Sequence, residues 1–373
     1  MQEALYSIAL SRASYFSSAS LLMLYRELGS ATQIMEHRHD IREVLPDASP
    51  RLVETLRNMD ELLRRAEDEL QYNTAHGIRT LTLNDPDYPR RMAECDDAPL
   101  VLFYKGTADL NQQHILSIVG TRHSTSYGQD LLRRFVTDLR RQCPEVLIVS
   151  GLAYGIDICA HRNALEQGFE TVGVLAHGLD DLYPSMHRQT ASEMLRQGGL
   201  LTEFTTLTNA DKRNFVRRNR IVAGMADAVL LVESASRGGG LITCSIARSY
   251  SREVYAFPGS IGLPYSEGCN QLIRDNGAAL ITSAEDFIRS MGWETDAERQ
   301  QALRNGVERQ LFPDLTPDEQ RIVSILQQQN DLQINILAVK TNIPIGSLTA
   351  LLFSLEMKGL LRQQAGGTYH LLQ

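Results

Sequence analysis

The sequence predicts an α/β fold: a doubly wound parallel sheet flanked by a small N-terminal helical domain and a C-terminal winged helix. Three observations predict it. Residues 1–75 show helical periodicity without any Val- or Ile-rich run. Residues 76–293 alternate short apolar runs with amphipathic stretches, and residues 315–373 open on a helix cap and close on a hairpin signal. A chain of 373 residues is long enough for two or three domains, each with its own core.

In the first zone Leu52, Leu56, Met59, Leu63, Ala66 and Leu70 recur at steps of three or four, with Glu61, Arg64, Arg65 and Asp68 off that stripe. This predicts a small helical module, taken to be SAM- or helix-hairpin-helix-like. From His76 the runs PLVLFY (99–104), ILSIVG (115–120), VLIVSG (146–151), TVGVLA (171–176), AVLLVE (228–233) and EVYAFPG (253–259) are continuously apolar, as expected of strands covered on both faces. Helices are expected between them at 129–141, 158–167, 186–197, 218–226 and 243–251. The result is an open, extended Rossmann-like sheet whose ligand crevice lies beyond the C-terminal strand ends. The polar residues 294–314 read as a linker. Thr316, Pro317, Asp318 and Glu319 then form a capping box with proline at the first helical position. Further helices at 334–341 and 347–358 and a terminal hairpin complete a winged helix.

The formal net charge of -8 excludes a generic nucleic-acid coat, so any polyanion site must be local. The run KRNFVRRNR, Lys212 to Arg220, is such a locality, with five cations and one aromatic. Cations neutralise phosphates and an interleaved Phe offers a face to a base, which points to single-stranded nucleic acid; a solvated helix face carries the same residues, so the neighbours decide. The five cysteines, Cys95, Cys143, Cys159, Cys244 and Cys269, form no CxxC pair and are expected to be reduced core thiols. No leader-like segment or bilayer-length apolar run is visible, so a soluble cytoplasmic protein with no membrane partner is expected.

Three glycine loops follow strands of the predicted sheet. Gly120-Thr121-Arg122 turns from a strand toward a helix and adds a full charge where unpaired amides suit an anion. Ser150-Gly151 opens the second loop, which does not spell G-x-G-x-x-G, so NAD binding is disfavoured and no cofactor is expected. Asp157 and His161, one turn apart, are expected to be a hydrogen-bonded structural pair with no metal. The third loop, Ser234 to Thr243, contains Gly238-Gly239-Gly240, which lets a backbone approach a ligand closely, and Thr243, which can cap a helix or bond a phosphate oxygen. With the basic run between the second and third loops, the set describes a cradle longer than a single nucleotide.

The segments VGTRHSTSYG, SGLAYGIDICAH, GLDDLYP, FVRRNRIVAG, GGGLITCSIA and FPGSIGLPYSEGCNQLIRDNGA resemble, in order, the motif set of the DprA (Smf) DNA-processing family, over roughly residues 80–290. That resemblance implies a single-stranded DNA binder that forms a homodimer through its Rossmann domain, protects incoming DNA and loads the RecA recombinase in natural transformation. By motif, Arg122 is expected at phosphate or base, Lys212 and Phe215 as cation and stacking aromatic, and Arg218, Asn219 and Arg220 as the RNR core. Arg220 has the alternative of pairing with Glu203 or Glu233. Gly240 and Thr243 fall in the glycine cradle. Val216 stands where the family usually has proline, which is expected to loosen the turn that aims Phe215. Arg237 to Gly240 replace its usual serine-glycine-serine.

The alternative class is a nucleotide phosphoribohydrolase with a similar sheet. Cys244, Ser245 and Ile246 follow Thr243 where such enzymes carry a catalytic glutamate, so a binding protein is preferred over an enzyme. In the winged helix, four cations balance four carboxylates, and its third helix lacks side chains that read base edges. A protein-contact or dimerising role is preferred there over duplex reading.

Overall fold

A computed structural model of the chain describes residues 2–295, 315–364 and 366–372. Most of the expected linker, 296–314, lies outside the described residues. The first 75 residues fold into α1 (Gln2–Arg12), α2 (Ser18–Leu28), α3 (Ala31–Glu36), α4 (Pro50–Arg57) and α5 (Asp60–Ala75). The apolar stripe that reads as one helix is split between α4 and α5, and Met59 at the break is buried with Leu52, Leu56 and Ala66. Ser49 caps α4 by accepting from the Leu52 amide, and Pro50 follows at N1.

The central region runs β1 (Arg79–Thr82), α6 (Arg90–Ala93), β2 (Val101–Gly106), β3 (His114–Val119), α7 (Ser126–Gln142), β4 (Val146–Ser150), α8 (Ile156–Glu166), β5 (Thr171–Val174), α9 (Arg188–Met194), β6 (Gly198–Thr202), α10 (Lys212–Gly224), β7 (Ala228–Leu231), α11 (Gly239–Ser249), β8 (Glu253–Ala256), α12 (Glu267–Arg274), β9 (Ala279–Leu280) and α13 (Ala284–Met291). The strands form one sheet in the order β1-β2-β6-β5-β4-β3-β7-β8-β9. From β6 to β9 every pairing is parallel, whereas β1 and β2 join one edge antiparallel. PLVLFY is therefore a strand but not a parallel one. Residues 107–113, between β2 and β3, are fewer than the dozen or so that a parallel crossover needs.

Side chains alternate between the two faces as the continuous apolar runs require. Ile115, Leu147, Val149, Val172 and Val229 pack on one face with the N-terminal helices, α10 and α11; Leu116, Ile118, Ile148 and Leu230 pack on the other with α7, α8 and α13. The helices of residues 2–75 thus share a core with the sheet. Strands β1, β6 and β9 are not among the expected ones. In β6, Gly198 and Gly199 are poor strand formers, yet glycine is required there because a Cβ on Gly199 would collide with the Tyr104 ring at 2.5 Å. In β9 there are only two residues, both exposed.

The C-terminal region comprises α14 (Pro317–Gln328), β10 (Leu332–Gln333), α15 (Ile334–Thr341), α16 (Ile345–Met357), β11 (Leu361–Gln364) and β12 (Thr368–Leu371), with its strands in the order β10-β12-β11 around its own apolar core. The capping box is present as expected, and Glu319 does more than cap. It accepts from the Thr316 amide at 2.9 Å and from Lys358 at 2.7 and 2.8 Å, and the Ser354 hydroxyl donates to it at 2.8 Å, which ties the start of α14 to the end of α16. The five cysteines are all reduced thiols, and four are buried. Among the described residues no single helix is long and apolar enough to cross a membrane.

Burial opposes ionisation of Glu319, but the bonds from Lys358, Thr316 and Ser354 outweigh it and hold the carboxyl down at about 2. A folded value below the unfolded one adds stability above the unfolded value, and that stability is lost as pH falls toward about 2. Hydrogen exchange of the α14 amides, compared at matched intrinsic rates, is expected to lose protection between about pH 5 and about pH 2.5, and Glu319→Gln is expected to remove most of that dependence.

Candidate nucleic-acid interface

The sheet reverses direction of winding at β3, so the loops after β3, β4 and β7 open onto one crevice. A groove of about 720 Å³ occupies it, lined by Gly120, Arg122, Gly151, Lys212, Phe215, Arg218, Asn219, Gly239, Gly240 and Thr243 together with Tyr154, Tyr183, Arg237 and Tyr265. The three glycine loops and the basic run therefore converge, as their order in the sequence implies.

Helical phase decides which members of the basic run reach the groove. The expected helix start at Arg218 is six residues late. Asp211 accepts from the Asn214 amide at 2.8 Å and caps α10, so the whole run is helical. Lys212, Phe215, Arg218, Asn219 and Val222 then share the groove face, at the three- and four-residue steps of one helix side. Val216 sits inside α10, where a proline would remove the helical N–H. No loosened turn aims Phe215; an ordered helix does.

The Phe215 ring is the centre of an aromatic and cationic cluster. Arg122 lies 4.7 Å from its centroid, Arg218 lies 5.8 Å away, and Tyr183 meets it edge-on at 5.9 Å. Arg122, Lys212 and Arg237 are exposed cations that line the same groove. Tyr183 belongs to the GLDDLYP segment and carries no charge or glycine signal that would have marked it as a wall of the groove.

Arg218 and Arg220 are not free cations. Arg218 is 3 % exposed and donates to the Gly151 carbonyl at 2.5 Å and to the Val174 carbonyl. Burial lowers its guanidinium to about 10, against the opposing pull of Asp157 and with help from the charge of Arg122. Arg220 lies outside the groove lining and is 6 % exposed; it pairs with Glu203 at 2.5 Å and donates to the Asp97 carbonyl. Of its two expected partners, Glu203 is the one used. Glu233 instead accepts from the Thr125 amide at 2.9 Å and hydroxyl at 2.5 Å and so latches the start of α7.

Ser150 also leaves the groove lining. It is fully buried on β4, and its hydroxyl donates to the Ile118 carbonyl at 2.6 Å. Gly120 and Gly240 form the floor by close approach: a Cβ on Gly240 would meet Leu231 at 2.7 Å and the Gly120 Cα at 3.3 Å, and one on Gly120 would meet Ile156 at 2.6 Å. Gly239 has open space around it, and the Thr243 hydroxyl donates to the Gly239 carbonyl at 3.3 Å. Gly238 gives α11 no side-chain cap, so its first amides face the groove without a side-chain acceptor.

Asp157 and His161 are not bonded to each other. Burial raises the Asp157 carboxyl, opposed chiefly by the charge of Arg218. The His161 ring shares a 2.7 Å hydrogen bond with the Thr171 hydroxyl, and burial holds its value down at about 3, so it is neutral. Among the described residues no three His, Cys, Asp or Glu side chains gather as a metal site would require.

Residues 79–292 match the family described as DNA recombination-mediator protein A, and residues 308–367 match the DprA winged helix domain. The chain is 32 % identical to Protein Smf of Synechocystis over 78 % of its own length and 79 % of that protein. It is 37 % identical to the DNA processing protein DprA of Streptococcus pneumoniae over 56 % and 73 % of the two chains. The X-ray structure of the S. pneumoniae protein superposes with a TM-score of 0.66 at 31 % identity, covering 78 % of this chain and 98 % of that one. DNA processing protein A of Helicobacter pylori, whose structure is described for its single-stranded DNA binding mode, superposes with a TM-score of 0.51 at 26 % identity over 57 % of this chain and 94 % of that one.

Because Arg218 is bonded to backbone carbonyls and faces buried Asp157, Arg218→Ala is expected to lower stability by about 3 kcal/mol in urea melts. Lys212→Ala, on the surface, is expected to stay within about 0.5 kcal/mol.

Proposed function

The chain belongs to the DNA recombination-mediator protein A (DprA/Smf) family, and from that premise we propose that it binds single-stranded DNA in the groove between α10 and the loops after β3, β4 and β7. One observation carries the reading: Lys212, Phe215 and Asn219 share one face of α10 opposite Arg122. A backbone phosphate finds Lys212, Arg122, Arg237 and the amides of α11. A base finds the Phe215 and Tyr183 rings. Gly120 and Gly240 bring backbone to the floor of the groove, and an aromatic ring beside it offers a face to an unpaired base. No carboxylate stands at the start of α11, where a phosphoribohydrolase would need one.

The bound strand is protected and then passed to a RecA recombinase during natural transformation. The working unit is a homodimer formed through the sheet domain, and of the two sheet edges, β1 and β9, we assign it to β9, where Leu280 is half exposed. The winged helix serves a protein contact rather than duplex reading. Its α16 carries no Arg or Lys and exposes Ile345, Phe353 and Met357.

Gel-shift titration of single and double strands at several salt concentrations tests the groove. Single strands are expected to bind much more tightly, and equal affinity for both forms would move the site to the winged helix. Lys212→Ala is expected to reduce the salt slope by about one phosphate, uniformly over sequences. Phe215→Ala is expected to weaken binding by roughly 1 to 3 kcal/mol with the slope unchanged. For the assembly, recombinase filament growth on DNA held by the protein is expected to exceed that on bare DNA. Leu280→Lys is expected to yield monomers in light scattering and to lose the gain, and an unchanged gain in a monomer would refute the dimer's role.

A further inference from the structure

The N-terminal helices reach the groove through one loop. Residues 203–211 leave β6 and end in Asp211, the cap of α10. Glu69, on α5, is 1 % exposed. Both of its carboxylate oxygens accept from the Thr206 amide at 3.0 Å, and one also accepts from the Thr206 hydroxyl at 2.6 Å. Arg65, one turn earlier, pairs with Glu69 at 2.9 Å and donates to the Thr206 carbonyl at 2.8 Å and hydroxyl at 2.6 Å. Arg12 of α1 donates to the Thr205 hydroxyl. Every polar group of Thr206 is thus held from the N-terminal helices.

The residues just after Thr206 have little else to hold them. Leu207 adopts φ +62° with its side chain 84 % exposed, a conformation strained for a residue with a Cβ. Its amide donates to Asp180 at 2.8 Å, and the Thr208 carbonyl accepts from the Gly178 amide at 3.3 Å. Asp180 and Gly178 lie on the loop that carries Tyr183, and Ala210 and Asp211 line the groove beside Lys212. The contacts therefore run from Glu69 through Thr206 to both walls of the aromatic cluster.

We propose that Glu69 is a positioning residue for the groove, locking Thr206 so that residues 207–211 present Lys212, Phe215 and Tyr183 in one fixed arrangement. This rests on the reading of the groove as a single-stranded DNA site. A buried carboxylate paired with arginine adds little stability over a well-packed apolar pair, and what it supplies is a single conformation. Here the conformation belongs to a loop with almost no core of its own. A loop ordered in advance spares the binding step the entropy of ordering it.

The test uses the full chain and a fluorescein-labelled oligothymidylate, with anisotropy titrations at several salt concentrations and thermal melts of each variant. Glu69→Gln is expected to bind about tenfold more weakly, the penalty for ordering roughly one loop residue on binding. The salt slope is expected to stay unchanged because no phosphate contact is removed. Thr206→Val keeps the amide donor and loses the hydroxyl; it is expected to show a smaller fall in the same direction, and it carries the test if Glu69→Gln does not fold. Adding Phe215→Ala to Glu69→Gln is expected to weaken binding by less than the two single effects combined, because both act on the same wall. Wild-type affinity in folded Glu69→Gln or Thr206→Val, or a weakening with an altered salt slope, overturns the proposal. Failure of the unaltered protein to bind the oligonucleotide overturns the groove reading and this proposal with it.

Discussion

Arg218 lies beneath the groove with its guanidinium donating to the carbonyls of Gly151 and Val174 and its charge facing Asp157, so the ends of β4 and β5 and the middle of α10 meet at one point. Much of the local geometry depends on it. A Cβ on Gly151 would collide with that guanidinium, so any side chain there would displace the arginine from its carbonyls. Phe215 packs over the same guanidinium one turn earlier on α10. Asp157, at the start of α8, is the counter-charge that makes a buried arginine tolerable. A residue that reads in sequence as one more phosphate cation is the bolt that fixes the surface on which the others stand.

The parts of the fold legible in the sequence are those set by periodicity and punctuation. The apolar runs of β3, β4, β5, β7 and β8 are continuous and contain Val or Ile, and the capping box at Thr316 to Glu319 announces α14. The parts that were not legible are set by tertiary context. Strand β6 hides behind two glycines that exist to clear Tyr104 and Thr171. The basic run could be recognised as a cluster, but the capping bond of Asp211 fixes its helical phase, and only that phase separates Lys212 and Phe215 from Arg220. No sequence spacing marks Tyr183 or Glu69, because a neighbour distant in the chain gives each its place.

The helix ends around the groove differ in a way that composition conceals. The start of α7 is occupied by Thr125 and Glu233, an acidic group built into the fold, while the start of α11 has no side-chain cap. An external anion meets a filled site at the first and an unfilled one at the second. The acidic average of the chain and the cationic character of this groove are therefore compatible. The charges that matter are arranged residue by residue, and three cations of the basic run, Arg217, Arg218 and Arg220, are engaged by the protein's own carbonyls and carboxylates.

The absence of Arg and Lys from α16 has a bearing on competition inside a cell. Chromosomal duplex is present in vast excess over any transient single strand, and a module with even modest duplex affinity would leave most copies of its protein parked along the chromosome. A third helix without Arg or Lys contributes nothing to such a pull. On the reading proposed above, a third helix whose one charged side chain is Glu356 would leave the free pool large, because it offers a duplex backbone no cation.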